Sequence, residues 1–190
     1  MSKEIIKSVD TMTAGLVAGT RSGEELTALG RFKVQCFDKD GKLKWEDENH
    51  NLVVSGGLQY MAGVALTSTT QITAWYVGLY GAGASNTPAA GDTMASHAGW
   101  TEVAPYAGNR PSITFVAATN ATPSVVTNSV VVAYTINATA TVGGAFLTSS
   151  NTRGGTAGTL FSAADFSAPG DRSVALGDTL NVTYTLSLNA

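Results

Sequence analysis

Residues Thr179 to Asn189 alternate strictly between apolar and polar side chains. The apolar members occupy every second position: Leu180, Val182, Tyr184, Leu186 and Leu188. A period of two places all apolar side chains on one face of an extended strand. Such a strand can bury its apolar face only against other elements. The pattern therefore predicts that the rest of the chain supplies a sheet around it.

Further strand and turn signals occur along the chain. Residues 31–48 predict a β-hairpin, because apolar and polar residues alternate on both sides of an Asp- and Gly-containing turn at 38–41. More extended stretches follow at 72–80, 112–118, 125–137 and 141–147. Apolar residues recur at three- and four-residue spacing between Leu58 and Leu66, which predicts one short helix. A single helical turn is predicted over 160–166.

Many strands and one short helix predict an all-β fold, an antiparallel β-sandwich with a jelly-roll-like arrangement. Residues 31–190 are assigned to the sandwich domain and residues 1–30 to an extended N-terminal arm. The arm has no aromatic residue and four glycines interrupt it, so it buries too little apolar area to order alone. Two interpretations stay open: a frayed terminus, or an arm that orders against a neighbouring subunit.

Composition narrows the classes of partner. Charged residues make up 13 % of the chain, against about 25 % in ordinary soluble domains, which suits a surface partly covered by neighbours. The net charge of −3 gives no basic footprint for nucleic acid. No apolar run approaches the ~20 residues of a membrane helix, and residues 1–10 lack the apolar region of a signal peptide. The sequence predicts no nucleic-acid partner and no membrane partner.

Motifs that carry chemistry are not found. There is no nucleophile elbow, P-loop, His-Glu-x-x-His motif or Cys-x-x-Cys pair, so the sequence predicts neither an enzyme nor a cofactor. His50 and His97 could form a metal site with Asp92, Glu102 or Glu48. Their spacing does not require one, and histidines in such loops more often bond the backbone, so no metal is predicted.

The single cysteine, Cys36, cannot form an intrachain disulfide, which fits a reducing compartment. It shares the apolar parity of its strand with Phe32 and Val34, so we expect a buried and inert thiol rather than a nucleophile.

Three loop residues are candidates for surface contacts. Trp100 follows Gly99 in a loop and could meet a sugar ring or another subunit, as could Tyr106, whereas apolar neighbours place Trp75 in the core. Arg110 lies in a loop where its guanidinium can pair with Glu102 or with a carboxylate of a partner.

The order of several motifs is similar to that in a known family. These motifs are LKW (43–45), HNLV (50–53), GL (57–58), WYVGL (75–79), DTMASHAGWTE (92–102), NRP (109–111), GAFL (144–147), LFS (160–162) and GDTL (177–180). Together they resemble small structural proteins of tailed bacteriophages, some of which resemble capsid cement, or decoration, proteins. The resemblance implies a jelly-roll-like domain, a homo-oligomer and no catalytic motif.

The resemblance and the composition together predict a structural virion protein on the outer surface of the capsid, made in the cytoplasm of the bacterial host. Its expected partners are the major capsid protein and further copies of itself, as a dimer or trimer. The expected contact residues are Ile5, Ile6, Leu16, Val17, Arg21, Leu26, Trp100, Tyr106 and Arg110. The alternative is a tail or fibre adhesin that binds host glycans, with Trp100 and Tyr106 as stacking residues.

Overall fold

The structure, a computed structural model, describes residues 26–81, 87–167 and 170–189. Within these ranges the chain forms eleven strands and one helix. In chain order these are β1 (Thr27–Phe37), β2 (Leu43–Val53), α1 (Ser55–Leu66), β3 (Trp75–Gly81), β4 (Glu102–Val103), β5 (Ser112–Ile113), β6 (Ser124–Thr127), β7 (Val132–Thr135), β8 (Ala140–Thr148), β9 (Leu160–Asp165), β10 (Arg172–Val174) and β11 (Thr179–Asn189).

Strand β11 has the bounds that its alternation predicts, and it lies inside the sheet. It pairs along its whole length with β1, and on its other side with β7 and then β6. Leu180, Val182 and Tyr184 are buried, as the period of two requires.

The predicted hairpin is confirmed. Strands β1 and β2 pair antiparallel, with a register shift between Cys36 and Phe37. The turn between them has Gly41 at a φ of 79°, which glycine adopts without steric cost. The Asp38 carboxylate accepts the backbone N–H groups of residues 40 and 42, each at 2.9 Å.

The first strand begins earlier than the predicted domain boundary. Thr27 pairs with Asn189, so residues 27–30, predicted to be part of the arm, belong to the sheet. Residues 1–25 of the predicted arm lie outside the described residues.

The sheet folds over on itself at β2. The continuous strand order is β4-β3-β8-β9-β2-β1-β11-β6, with β10 on β8, β5 on β3 and β7 on β11. The C-terminal end of β2 joins the two halves, because Leu52 pairs with Ala163 of β9. Buried side chains from both halves form one core cluster, and Tyr134 Oη donates to the Val77 carbonyl oxygen at 2.8 Å. The described residues thus confirm the predicted all-β sandwich.

Three predictions of local structure are wrong. Of the extended stretch predicted at 112–118, only Ser112–Ile113 forms a strand, β5, which pairs with β3. The predicted helical turn at 160–166 is instead strand β9 over Leu160–Asp165, because β9 pairs on both sides, with β8 and with β2. The predicted strand at 125–137 is two short strands, β6 and β7. The Asn128 side chain lies between them and binds β11, accepting the Tyr184 N–H at 2.8 Å in place of a ladder bond.

Helix α1 confirms the predicted helix and packs closely on β9. A side chain at Gly57 would collide with the Phe161 carbonyl oxygen, so only glycine allows this approach. Trp75 lies edge-on between Tyr60 of α1 and Phe161, with ring centroids 5.4 Å apart in both pairs. Among the described residues, no helix has the length and apolar character needed to cross a bilayer.

Candidate interaction surface

An apolar groove of about 690 Å³ lies between helix α1 and the adjoining ends of β1, β2 and β11. We call it the α1 groove. The apolar residues that line it include Leu26, Leu52, Leu58, Met61, Leu66 and Leu188. Several of these side chains are open to solvent: Leu26 is 73 % exposed, Leu58 47 % and Leu66 85 %. Contiguous exposed leucines of this kind mark a surface that binds another apolar surface.

The sequence of α1 explains why the groove exists. The helix, SGGLQYMAGVAL, carries no charged residue. Tyr60 and Met61 pack against the core of the sandwich, and Tyr60 Oη accepts the Ile72 N–H at 2.8 Å. The face with Leu58 and Leu66 is also apolar, but it has no element over it among the described residues. A helix that is apolar on both sides normally has both sides covered.

Trp100 is not available as a surface contact, and the structure corrects that prediction. Its side chain is 3 % exposed, because strands distant in sequence cover the loop that carries it. The indole packs against Tyr80 and Phe146, with centroids 5.2 and 5.0 Å away, and His97 stacks on it at 3.9 Å. Its Nε1 donates to Asp92 Oδ2 at 2.9 Å.

Tyr106 is also interior, at 4 % exposure, and this prediction of a surface contact is corrected as well. Its ring packs edge-on against Tyr134 with centroids 4.8 Å apart. Its backbone carbonyl oxygen accepts a hydrogen bond from Arg153 Nη1 at 2.7 Å.

Arg110 is 2 % exposed and pairs within the chain, which selects between its two predicted partners. Glu102 accepts two hydrogen bonds from the guanidinium, and the Ser150 carbonyl oxygen accepts a third at 2.9 Å. The predicted role as a contact to another subunit is therefore corrected. The Arg110 side chain is buried and binds the 149–155 loop of its own chain.

The histidines do not form a metal centre in the part of the chain that the structure describes. No group of three or more His, Cys, Asp or Glu is placed there to hold an ion. His97 Nδ1 forms a hydrogen bond with the Trp100 carbonyl oxygen at 2.8 Å, which is the backbone role that the sequence favours.

Cys36 is fully buried, as predicted. Burial, followed by the nearby Asp178 carboxylate, raises the pKa of the thiol to about 12. The Sγ atom lies 3.6 Å from Asp178 Oδ2 and donates to it. The same oxygen accepts from Lys44 Nζ at 2.5 Å and from the Ala175 N–H at 2.8 Å. The cluster joins β1 and β2 to the turn before β11.

No protein-family model, curated protein or solved structure matches this chain.

The predicted contact residues fall into three groups. Ile5, Ile6, Leu16, Val17 and Arg21 lie outside the described residues. Leu26 is described and lines the α1 groove.

The remaining three, in the loops at 100, 106 and 110, are buried. Sequence reasoning did not find Leu58 and Leu66 as surface residues. The signal was present in the uncharged helix that contains both.

Proposed function

We propose that this chain is a structural protein of a tailed-phage virion. It binds the outside of the capsid and stabilises the head shell by cementing neighbouring major capsid proteins. It is made in the cytoplasm of the bacterial host and acts as a homo-oligomer, a dimer or trimer. The observation that carries the proposal is the α1 groove, an open apolar surface on a two-layered β body.

In this proposal the protein acts only by binding, as a rigid body that makes many weak contacts. A sandwich with one continuous core is a rigid body, and its low content of charged residues lowers the cost of covering its faces with protein. Each contact with the shell can be weak. Copies repeated by the symmetry of the shell then add up to a large stabilisation.

The motif order described for the sequence supports the same assignment. The motifs at 75–79, 144–147 and 160–162 include the residues of β3, β8 and β9 that form the second half of the sandwich. The motif at 92–102 supplies Trp100, which is buried against that half, and Glu102, whose largely covered side chain pairs with Arg110. The residues that carry the resemblance are thus residues that build the fold.

The N-terminal arm is part of the proposal as a link to a neighbouring subunit. Because residues 27–30 are paired in β1, the informative deletion removes residues 2–25 and leaves the sheet complete. The adhesin alternative relied on Trp100 and Tyr106 as stacking residues. Both rings are buried, so they are not exposed for stacking on a sugar as the adhesin alternative requires.

The test is binding to expanded capsids that lack the protein. Full-length protein should co-sediment with them at a fixed ratio to the major capsid protein and should raise the temperature at which heads release DNA. The 2–25 deletion should bind more weakly. If the full-length protein stays in the supernatant at saturating concentration, the cement function is wrong. If the deletion binds as tightly, only the linking role of the arm is wrong.

A further inference from the structure

We infer that in the free protein the α1 groove is occupied by the N-terminal segment of the same chain, residues 5–17. The inference concerns the isolated molecule and goes beyond the capsid role. Its first basis is location. Leu26, where the described chain begins, itself lines the groove, so the segment before it is joined to the described chain at the groove.

The second basis is chemical complementarity. Four apolar residues of the segment, Ile5, Val9, Met12 and Leu16, stand at positions i, i+4, i+7 and i+11. This is the spacing with which amphipathic segments fill apolar grooves. The exposed leucines of the groove offer the matching apolar surface.

Length supports the match. Residues 5 to 16 would span about 17 Å at the helical rise, and the twelve residues of α1 span about 18 Å. The connection from Leu16 to Leu26 is ten residues, which reach up to about 35 Å when extended. It contains Gly19, Gly23 and three charged residues, a composition typical of a solvent-exposed turn in which the chain reverses direction.

The segment can bind either the groove of its own chain or the groove of a second copy, and its covalent connection favours its own. A short connection gives an effective concentration in the millimolar range, far above that of a dilute protein. In free solution the segment should therefore fill its own groove. On a shell, where copies are held at fixed distances, exchange of this segment between neighbouring grooves would link them through the same contacts.

The test is cross-linking of the full chain through cysteines at Leu16 and Leu58. The L16C/L58C variant, treated with a short bis-maleimide, should give an internally linked monomer at a yield independent of protein concentration. The control is L16C/L176C. Leu176 is also an exposed leucine, but it lies before the first residue of β11, whereas Leu188 at the groove is about 30 Å further along that strand. Cys36 is buried and is retained in both variants.

The outcomes separate clearly. An internal link in L16C/L58C at several times the yield of the control supports the inference. Cross-linked dimers in place of linked monomers would overturn it and assign the groove to a second copy. A yield equal to that of the control would also overturn it.

A second measurement does not depend on introduced thiols. Replacing Ile5, Val9, Met12 and Leu16 by serine in the full chain should speed amide hydrogen exchange in α1 several-fold and increase binding of an apolar dye. The L176S variant should change neither. Unchanged exchange in α1 would contradict the inference. Neither experiment involves capsids, so a negative result here leaves the proposed cement function standing.

Discussion

Arg110 and Glu102 form a buried, two-point ion pair in which Nε donates to Oε1 and Nη2 to Oε2, each at 2.8 Å. Glu102 also accepts the Gly154 N–H through Oε2. The pair thus fixes the 149–155 loop against β4. Sequence spacing suggested this pairing as one of two possibilities, and burial makes it a structural element of the fold.

Removing the arginine should strongly destabilise the protein. Arg110→Ala leaves the Glu102 carboxylate buried without its partner, a change that typically costs about 3–5 kcal/mol. The matched control is Arg31→Ala, because Arg31 pairs with Glu48 on the exposed face of the first hairpin. That pair should contribute less than about 1 kcal/mol. The measurement is urea unfolding of both variants, and equal losses of stability would contradict the structural role of Arg110.

Cys36 should resist thiol reagents in the native protein. Burial and the neighbouring Asp178 raise the pKa of the thiol to about 12, so hardly any thiolate exists at pH 8. Modification by an aromatic disulfide reagent should proceed only at the rate of unfolding, and denaturant should restore it. A Leu176→Cys variant, which places a thiol at an exposed position, should gain one rapidly reacting group. Rapid labelling of Cys36 in the unmodified native chain would contradict its burial, because the reagent would then have access to the core side of β1.

Asp178 should make the free energy of unfolding depend on pH in the acid range. Burial opposes its ionisation, but hydrogen bonds from Lys44 and the Ala175 N–H outweigh burial and lower the pKa of the carboxyl. A lowered folded pKa means that the stabilisation is present above the unfolded value of about 3.9 and is lost as pH falls through the folded value.

Asp178→Asn should therefore lower the free energy of unfolding at pH 7 by about 1–3 kcal/mol and flatten its decline below pH 4. The measurement is the free energy of unfolding as a function of pH for both proteins. Parallel curves for the two would show that Asp178 does not provide this dependence.

The contact between α1 and β9 should tolerate no side chain at Gly57. A Cβ there would meet the Phe161 carbonyl oxygen, so Gly57→Ala should displace the helix and cost about 1–3 kcal/mol. Gly91→Ala is the control, because nothing lies within 4 Å of a Cβ at that position. Thermal unfolding of the two variants should show a clear fall in Tm for the first only. A similar Tm for both would mean that α1 is free to move on β9.

Elements with a clean period were predictable from the sequence. Strand β11 alternates because one of its faces is buried, and its bounds follow directly from that pattern. The sequence of strand β9, LFSAAD, does not predict a strand, because five of its six residues are buried and apolar and polar residues do not alternate. Short apolar runs of this kind do not distinguish a strand from a helical turn.

Contacts between distant segments account for the other errors. Trp100 lies in a Gly-containing loop, so the sequence predicts that it is exposed. In the fold, Tyr80 and Phe146 from two central strands cover it. The α1 groove likewise depends on where the helix lies relative to the ends of β1 and β11. The sequence indicates an apolar helix, and only the fold shows which side of it stays open.

The most direct test of the account is the location and copy number of the protein in intact virions. Quantitative mass spectrometry combined with cryo-electron microscopy of purified particles measures both. The cement function predicts on the order of hundreds of copies arranged with the symmetry of the shell on its outer surface. Complete absence from the head, or a dozen or fewer copies confined to the tail, would contradict it.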